Sequence, residues 1–375
     1  MIESEAPAIG KAAGGYDEAR DRVRRSSEPF KLETKRAVMT NFKPLRFAIL
    51  GTTGHANRIA APTLKQCPSV SLVGAAGSAP GRGKRFAEQH GLSRGYESLE
   101  ELLADPQVDA VWLCSPNHMH ARQVAQCAAA GKHVLVEKPL STTRRDADAA
   151  AQAAAEAKVT LRVGCQHRFR PSHGRLRDLV RSGVVGHIGY FRIHRFWRYP
   201  YYEDMGAPNW RLSPTESGGW VINDLGSHLL DLMLWISGAE GQTAGAILAS
   251  QKFVASTEDS VAILVKLDKA GIGIMETSGA NNSPGSRIEI YGNAGWIRAE
   301  NTLTGAATIL THDGQSLQFE PVEVMEIYRD EVEDFVGAVR GQPSIGADAM
   351  AGAVVAGLIE SAVATGVRVR AIAVG

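Results

Sequence analysis

The sequence predicts two halves of different class. The first is α/β, an N-terminal Rossmann doubly wound parallel sheet. The second is α+β, a C-terminal domain built on a large, mostly antiparallel sheet. Three observations carry this. Short, near-continuous apolar strands alternate with helical stretches up to residue 166, as a parallel sheet covered on both faces requires. Longer strand-like runs with few helices follow, as in an antiparallel sheet with its helices to one side. The 375 residues exceed the ~100–200 of one domain.

Leu45–Leu50 is an apolar run that stops at Gly51, a strand, and a helical stretch over 56–66 follows it. The second strand is 69–76 and the second helix 81–89. The third strand, 108–114, is stopped by Ser115-Pro116-Asn117. A helix over 118–130 ends at Gly131, which suits a left-handed C-terminal cap. The fourth strand is 133–136, and Ser141 can cap the Ala-rich helix after it. The fifth is 159–164. After Pro171 a helix over 174–181 leads to strands over 188–197, 260–267 and 287–291. One strong helix over 224–236 interrupts them, and an Ala/Val-rich helix over 347–364 follows. The segments are therefore 1–44, an N-terminal extension; 45–166, a dinucleotide-binding domain; and 167–375, a domain for substrate binding and oligomerisation.

A net charge of +1 gives no field to hold nucleic acid or an anionic membrane. No apolar run approaches the ~18 residues of a spanning helix. Cys67, Cys114, Cys127 and Cys165 lack zinc-site spacing, and three stand in apolar runs as reduced thiols do, which suits the cytoplasm. Residues 1–44 mix both charge signs without a hydrophobic period. They read as a flexible extension, or as sequence upstream of a start at Met39. Arg24-Arg25 invites a twin-arginine export reading, but the apolar stretch such a signal needs does not follow.

Gly51-Thr52-Thr53-Gly54-His55-Ala56 stands where a dinucleotide-binding loop belongs, and the usual fingerprint there is G-x-G-x-x-G/A. Gly51 permits the tight turn and Ala56 the close helix–strand packing. Thr53 replaces the second glycine, and Gly54 beside it can supply the lost freedom. Alone, the loop is equally a plain strand-to-helix turn. At the head of a doubly wound sheet it becomes a phosphate site at a helix N-terminus. The second strand ends in Ala75-Ala76-Gly77-Ser78, without the acid that holds the ribose 2′-hydroxyl of NAD. Ser78 and Arg82 would accept a 2′-phosphate, which favours NADP over NAD. The other reading is that Arg82 and Lys84 decorate a solvated helix.

Three polar clusters stand out. Ser115-Pro116-Asn117-His118-Met119-His120 and Glu137-Lys138-Pro139 follow the third and fourth strands, at the carboxyl edge that faces the crevice. Glu137 and Lys138 at an apolar strand end are costly to bury unless paired or used. In the third, Asp224 and His228 are four apart and share a helix face, with Asp231 three further on. A carboxylate beside a histidine can tune an acid/base. Equally, Asp224 can cap the helix and His228 be satisfied in the core. The aromatic and charged run 196–202, with Asn209, Trp210 and Arg211, lines a pocket for a polyhydroxylated ligand or forms a surface loop or subunit contact.

Together these motifs resemble the Gfo/Idh/MocA family, which includes glucose–fructose oxidoreductase and inositol dehydrogenase. The resemblance runs from about Leu45 onward. It rests on Glu137, Lys138 and Pro139; on Asp224, Gly226, His228 and Asp231; on Ser115, Pro116, Asn117 and His120; and on the domain-crossing segment 166–171, with Gly183 and Gly186 after it. The altered glycine loop departs from the pattern. The resemblance implies an NAD(P)-dependent enzyme that moves a hydride between nicotinamide and a secondary alcohol or ketone of a carbohydrate, without metal. It implies Lys138, Asp224 and His228 as the catalytic set. His228 would be the general base, its unperturbed pKa of ~6.5 lying near operating pH. Lys138 would stabilise charge on the same oxygen, and Asp224 would orient the substrate or His228. Cofactor contacts would come from Gly51, Thr52, Thr53, Gly54, His55, Ala56, Ser78, Arg82, Ser115, Pro116, Asn117, His120, Glu137, Lys138 and Arg168. The family also admits glycosidases that use bound NAD in a redox-assisted elimination, and sugar-sensing regulators, which tend to lack the Lys/His pair. A large sheet with one free face needs covering, so a homodimer or homotetramer is expected.

Overall fold

The computed structural model describes residues 43–198, 209–251, 257–268, 271–303 and 305–370. The expected extension over 1–44 lies almost wholly outside the described residues, as do 199–202 of the aromatic run.

β1 (Leu45–Leu50) runs through the glycine loop into a π-helical turn, Ala56–Ala60, and then α1 (Ala61–Gln66). β2 (Val70–Ala76) and α2 (Arg82–His90) follow. Two elements here were not legible in the apolar pattern: β3 (Arg94–Tyr96) and α3 (Leu99–Ala104). The latter starts on a capping signal, with the Ser98 hydroxyl accepting from the Glu101 N–H. Then come β4 (Ala110–Leu113), α4 (His120–Ala129), β5 (His133–Glu137), α5 (Arg144–Glu156) and β6 (Leu161–Gly164). The strand order, β15-β6-β5-β4-β1-β2-β3 with β15 at Ala347–Asp348, reverses direction between β1 and β4, and that switch point opens a crevice at the strands' carboxyl ends.

In the second half, α6 (Pro171–Arg181) begins three residues ahead of the sequence reading, because Pro171 fits the first turn of a helix. β7 (Ile188–Arg198), a short α7 (Pro214–Ser217) and α8 (Ser227–Ser237) follow. The sheet continues through β8 (Gly241–Ser250), β9 (Ser260–Leu267), β10 (Ile272–Ser278), β11 (Ala280–Gly292), β12 (Trp296–Glu300), β13 (Ala307–Thr311) and β14 (Ser316–Phe319). The order among the described residues is β14-β13-β12-β11-β7-β10-β9-β8-β16, antiparallel except for β7 with β10 and β8 with β16 (Val367–Arg370). In β9, Ile263 and Val265 are buried while Leu264 and Lys266 face out. α6, α8 and α10 (Ala349–Thr365) pack into one core cluster with the inner face.

The chain does not stay in its second half. α9 (Val324–Val339) returns beneath the first sheet, where Ile327, Val332 and Phe335 pack with Phe47, Ile49 and Trp112. β15 (Ala347–Asp348) then adds an antiparallel edge to β6. A single domain boundary at 166/167 therefore describes the chain incompletely.

Candidate active site

The crevice is built first by backbone. Gly51 has φ +124°, and a Cβ there would stand 2.9 Å from the Cys114 carbonyl oxygen, so only glycine lets the end of β1 pass the end of β4. Gly54 has φ +47° and no atom within 4 Å of a Cβ position, so the freedom missing at Thr53 is supplied one residue on, beside open space. Ala56 is fully buried at the start of the π turn. This glycine cradle, opening onto a helix start, fits a dinucleotide's phosphates. At the end of β2, the Arg82 guanidinium donates to the Ser78 hydroxyl at 3.2 Å, and Gly77 lies against Thr52 and Arg82. Close to that edge Glu97, after β3, accepts from the Gly81 N–H at 2.6 Å.

The loop after β4 is tied down from two sides. Pro116 precedes a 3₁₀ turn, Asn117–Met119, and the Asn117 side-chain amide donates to the Ser217 carbonyl at 2.9 Å. The Ser115 hydroxyl donates to Gln123. His120 lies between the Pro139 and Ser115 carbonyls at 2.7 and 2.8 Å, clamping the β4 and β5 loops together. Burial pushes its pKa down although both carbonyls favour the cation.

At the end of β5, Glu137 lies 2.9 Å from His55 Nε2 and accepts from the Trp112 indole at 3.1 Å. Burial alone would raise the Glu137 carboxyl, but His55, Lys138 and Trp112 together hold it below its ordinary value. Lys138, whose peptide bond to Pro139 is cis, sends its ammonium across to the second half. Nζ donates to Asp224 Oδ1 at 3.0 Å and to the Asp224 carbonyl at 2.8 Å. Asp224 does not cap the helix: it sits inside a second π-helical turn, Ile222–Gly226, that precedes α8.

The cavity between the halves encloses about 130 Å³. Its walls include Thr53, Gly54 and His55 from the loop; Ser115, Asn117, His120, Glu137 and Lys138 from the strand ends; and Asn223, Asp224, Trp220, Trp210 and Arg211 opposite. Thus Trp210 and Arg211 line the cavity, as one reading of their segment held. Asn223 and Ser217 are wall residues that the sequence did not single out, although Asn223 adjoins Asp224 in the same motif. Tyr328 is another omission: it arrives on α9, accepts from the Gln166 amide at 2.7 Å and meets the His55 ring at 5.4 Å. No local signal could have placed it there.

Two expected residues stand elsewhere. His228 is 5% exposed and does not line the cavity. Its Nδ1 is buried without a hydrogen-bond partner, and its ring lies 4.6 Å from that of His167. Burial first, then Lys138 and Arg195, push its pKa well below the ordinary value, so the ring is neutral at pH 7 and not poised near it as expected. Arg168, expected at the cofactor, is held away from the cavity. Its guanidinium pairs with both Asp231 oxygens at 2.8 and 2.5 Å, donates to the Ile345 carbonyl and packs against Trp235. Among the described residues, no three His, Cys, Asp or Glu side chains cluster to hold a metal.

Comparison with known proteins agrees with this geometry. Residues 45–165 match the NAD-binding Rossmann domain of the GFO/IDH/MocA oxidoreductase family, and residues 173–298 match a C-terminal domain of that family. The chain is 30% identical to 1,5-anhydro-D-fructose reductase from Ensifer adhaerens over 70% of its length and 79% of the relative's. It is 27% identical to myo-inositol 2-dehydrogenase from Thermotoga maritima, covering 80% and 90% of the two chains. Its fold superposes on a 3-ketoreductase from Actinomadura kijaniata in complex with NADP and TDP-benzene, with a TM-score of 0.73 at 22% identity over 88% of this chain and 99% of that one. It also superposes on levoglucosan dehydrogenase bound to NADH and L-sorbose, with a TM-score of 0.75 at 20% identity over 86% and 96%. A Rossmann sheet with its crevice at the switch point, a lysine–aspartate pair across the two halves and both family models lead to one conclusion: the chain belongs to the GFO/IDH/MocA family of oxidoreductases.

Proposed function

We propose that the chain interconverts a secondary alcohol and a ketone on a sugar or polyol, with Lys138, Asp224 and His228 as its catalytic set and NADP favoured over NAD. The observation that carries this is the Lys138–Asp224 pair, formed across the two halves inside the cavity and beside the glycine loop. A bound nicotinamide supplies the hydride acceptor or donor. An ammonium has three donors. Two of those on Lys138 go to Asp224, which leaves one for a substrate oxygen and for the charge that develops there. Asp224 fixes where that donor points. His228, one helical turn on and neutral, stands behind the cavity wall with an unpartnered Nδ1, and would act as the base only where bound substrate reaches that ring.

The relatives that reduce anhydrofructose or oxidise inositol support a carbohydrate substrate. Ser78 and Arg82, with no acid at the end of β2, support NADP. Four unpaired thiols support a cytoplasmic setting. Melting the protein with NADPH and with NADH tests the cofactor: NADPH is expected to raise the melting temperature more, and a larger shift with NADH overturns that preference. Lys138→Ala is expected to lower kcat on a polyol panel by ~10²-fold or more. Unchanged turnover in both Lys138→Ala and His228→Ala sinks the assignment.

A further inference from the structure

His55 stands between Gly54 and Ala56 in the glycine loop, and its ring lines the cavity with the side chain 24% exposed. Three contacts fix that ring. Nε2 lies 2.9 Å from Glu137 Oε1, and the Trp112 and Tyr328 rings meet it edge-on at 6.1 and 5.4 Å between centroids. The Trp112 indole donates to the same Oε1 at 3.1 Å, so imidazole, carboxylate and indole form one connected group. Glu137 stays ionised there, because its neighbours hold it below its ordinary value in spite of burial. With Nε2 against the carboxylate, Nδ1 is the ring nitrogen left for whatever occupies the cavity.

The other polar groups around this space are committed. Lys138 and Asp224 take each other. Both nitrogens of His120 lie against carbonyl oxygens. Burial pushes the Cys114 thiol and the Tyr328 hydroxyl well above their ordinary values. Arg211 offers a guanidinium, which has no acceptor. His228 lies outside the walls. Among the described residues that line the cavity, His55 is therefore the imidazole with a nitrogen to spare. A carboxylate against one nitrogen of a histidine fixes its tautomer and orientation and stabilises its cation. We propose that His55, backed by Glu137, is an acid/base residue of this cavity. In oxidation its Nδ1 takes the hydroxyl proton of the substrate while the hydride leaves the same carbon for the bound nicotinamide, and the carbonyl forms. In reduction the imidazolium returns a proton to the carbonyl oxygen as hydride reaches the carbon. The exposed part of the ring exchanges that proton with solvent. The proton's origin on a substrate rests on the oxidoreductase reading above; the His55–Glu137 pairing does not.

Oxidation of myo-inositol, sorbitol and glucose by the full chain with NADP and with NAD, followed across pH, tests this. His55→Gln is expected to lower kcat by ~10²-fold or more and to remove the acid limb of the profile, with the NADPH melting shift retained. Glu137→Gln should move that limb to lower pH, because the cation loses its anion. Free imidazole should restore part of the rate to His55→Ala, which a histidine that only holds the loop in place does not allow. A profile that keeps its shape in His55→Gln, or a loss confined to NADPH binding, overturns the proposal and leaves the oxidoreductase reading in place. If the parent oxidises none of these polyols, NMR of the ring-labelled histidines decides. A ring signal that is missing in His55→Gln, follows pH in the parent and moves to lower pH in Glu137→Gln keeps the pair as an acid/base group while the oxidoreductase reading falls. A His55 signal indifferent to Glu137→Gln removes the pair as well.

Discussion

Lys138 and Arg168 are both largely buried cations, and what each faces decides what it can do. Arg168 is locked by Asp231, whereas Lys138 is only partly engaged by Asp224. The same logic applies to an acid, Glu258. It is 2% exposed, accepts from the Ile222 N–H at 3.0 Å at the head of the second π turn, and is raised by burial to about 7. Its ordinary value is 4.5, so the folded chain holds a proton between pH 4.5 and 7 that the unfolded chain has released. Stability must therefore fall as pH rises through that window. Glu258→Gln keeps an acceptor for Ile222 and removes the ionisation. The variant should gain on the parent as pH rises, by up to ~3 kcal/mol at neutrality. Urea unfolding at pH 5 and pH 7.5 measures this, and a constant difference between the two proteins refutes it.

At the scale of elements, period and punctuation revealed most of the first sheet. β1, β2, β4, β5 and β6 are apolar runs ended by Gly, Ser or Pro, and the site motifs fall at their ends. β3 was missed because Arg94-Gly95-Tyr96 is too short to show a period, and α3 because a six-residue helix shows barely two turns. Both π turns were read as ordinary helix. A π turn keeps the same residues helical and alters only which carbonyl each N–H meets, so composition carries no trace of it. Yet the two turns follow the glycine loop and hold Asp224, the positions where the site is made. α9 was also missed, and no pattern within its own residues could show that it would leave the second half. Its anchor can be tested. Phe335 is 1% exposed and meets Phe47 at 5.5 Å, so Phe335→Ala should cost ~3–5 kcal/mol of unfolding free energy. A loss below ~1 kcal/mol, within the range of ordinary surface substitutions, would mean that the helix is not holding the first sheet.

For the whole molecule, the larger sheet has a side that no other described element covers. Ile247, Leu264, Ile272, Val367 and Val369 project from it on neighbouring strands, each about half exposed or more. A contiguous apolar stripe of this kind marks an association surface, and we propose that copies of the chain pair through it. Light scattering at micromolar concentration should give a dimer or tetramer, and Leu264→Lys with Ile272→Lys should give a smaller species that still responds to cofactor. A monomeric parent protein contradicts this. The excursion of α9 and β15 bears on how the molecule is made. A ribosome completes residues 45–166 long before residues 324–348 emerge, so the nucleotide-binding sheet waits for the α9 part of its cover over Phe47 and Trp112 while most of the second sheet is synthesised. The cofactor half is first in order of translation and among the last parts to close.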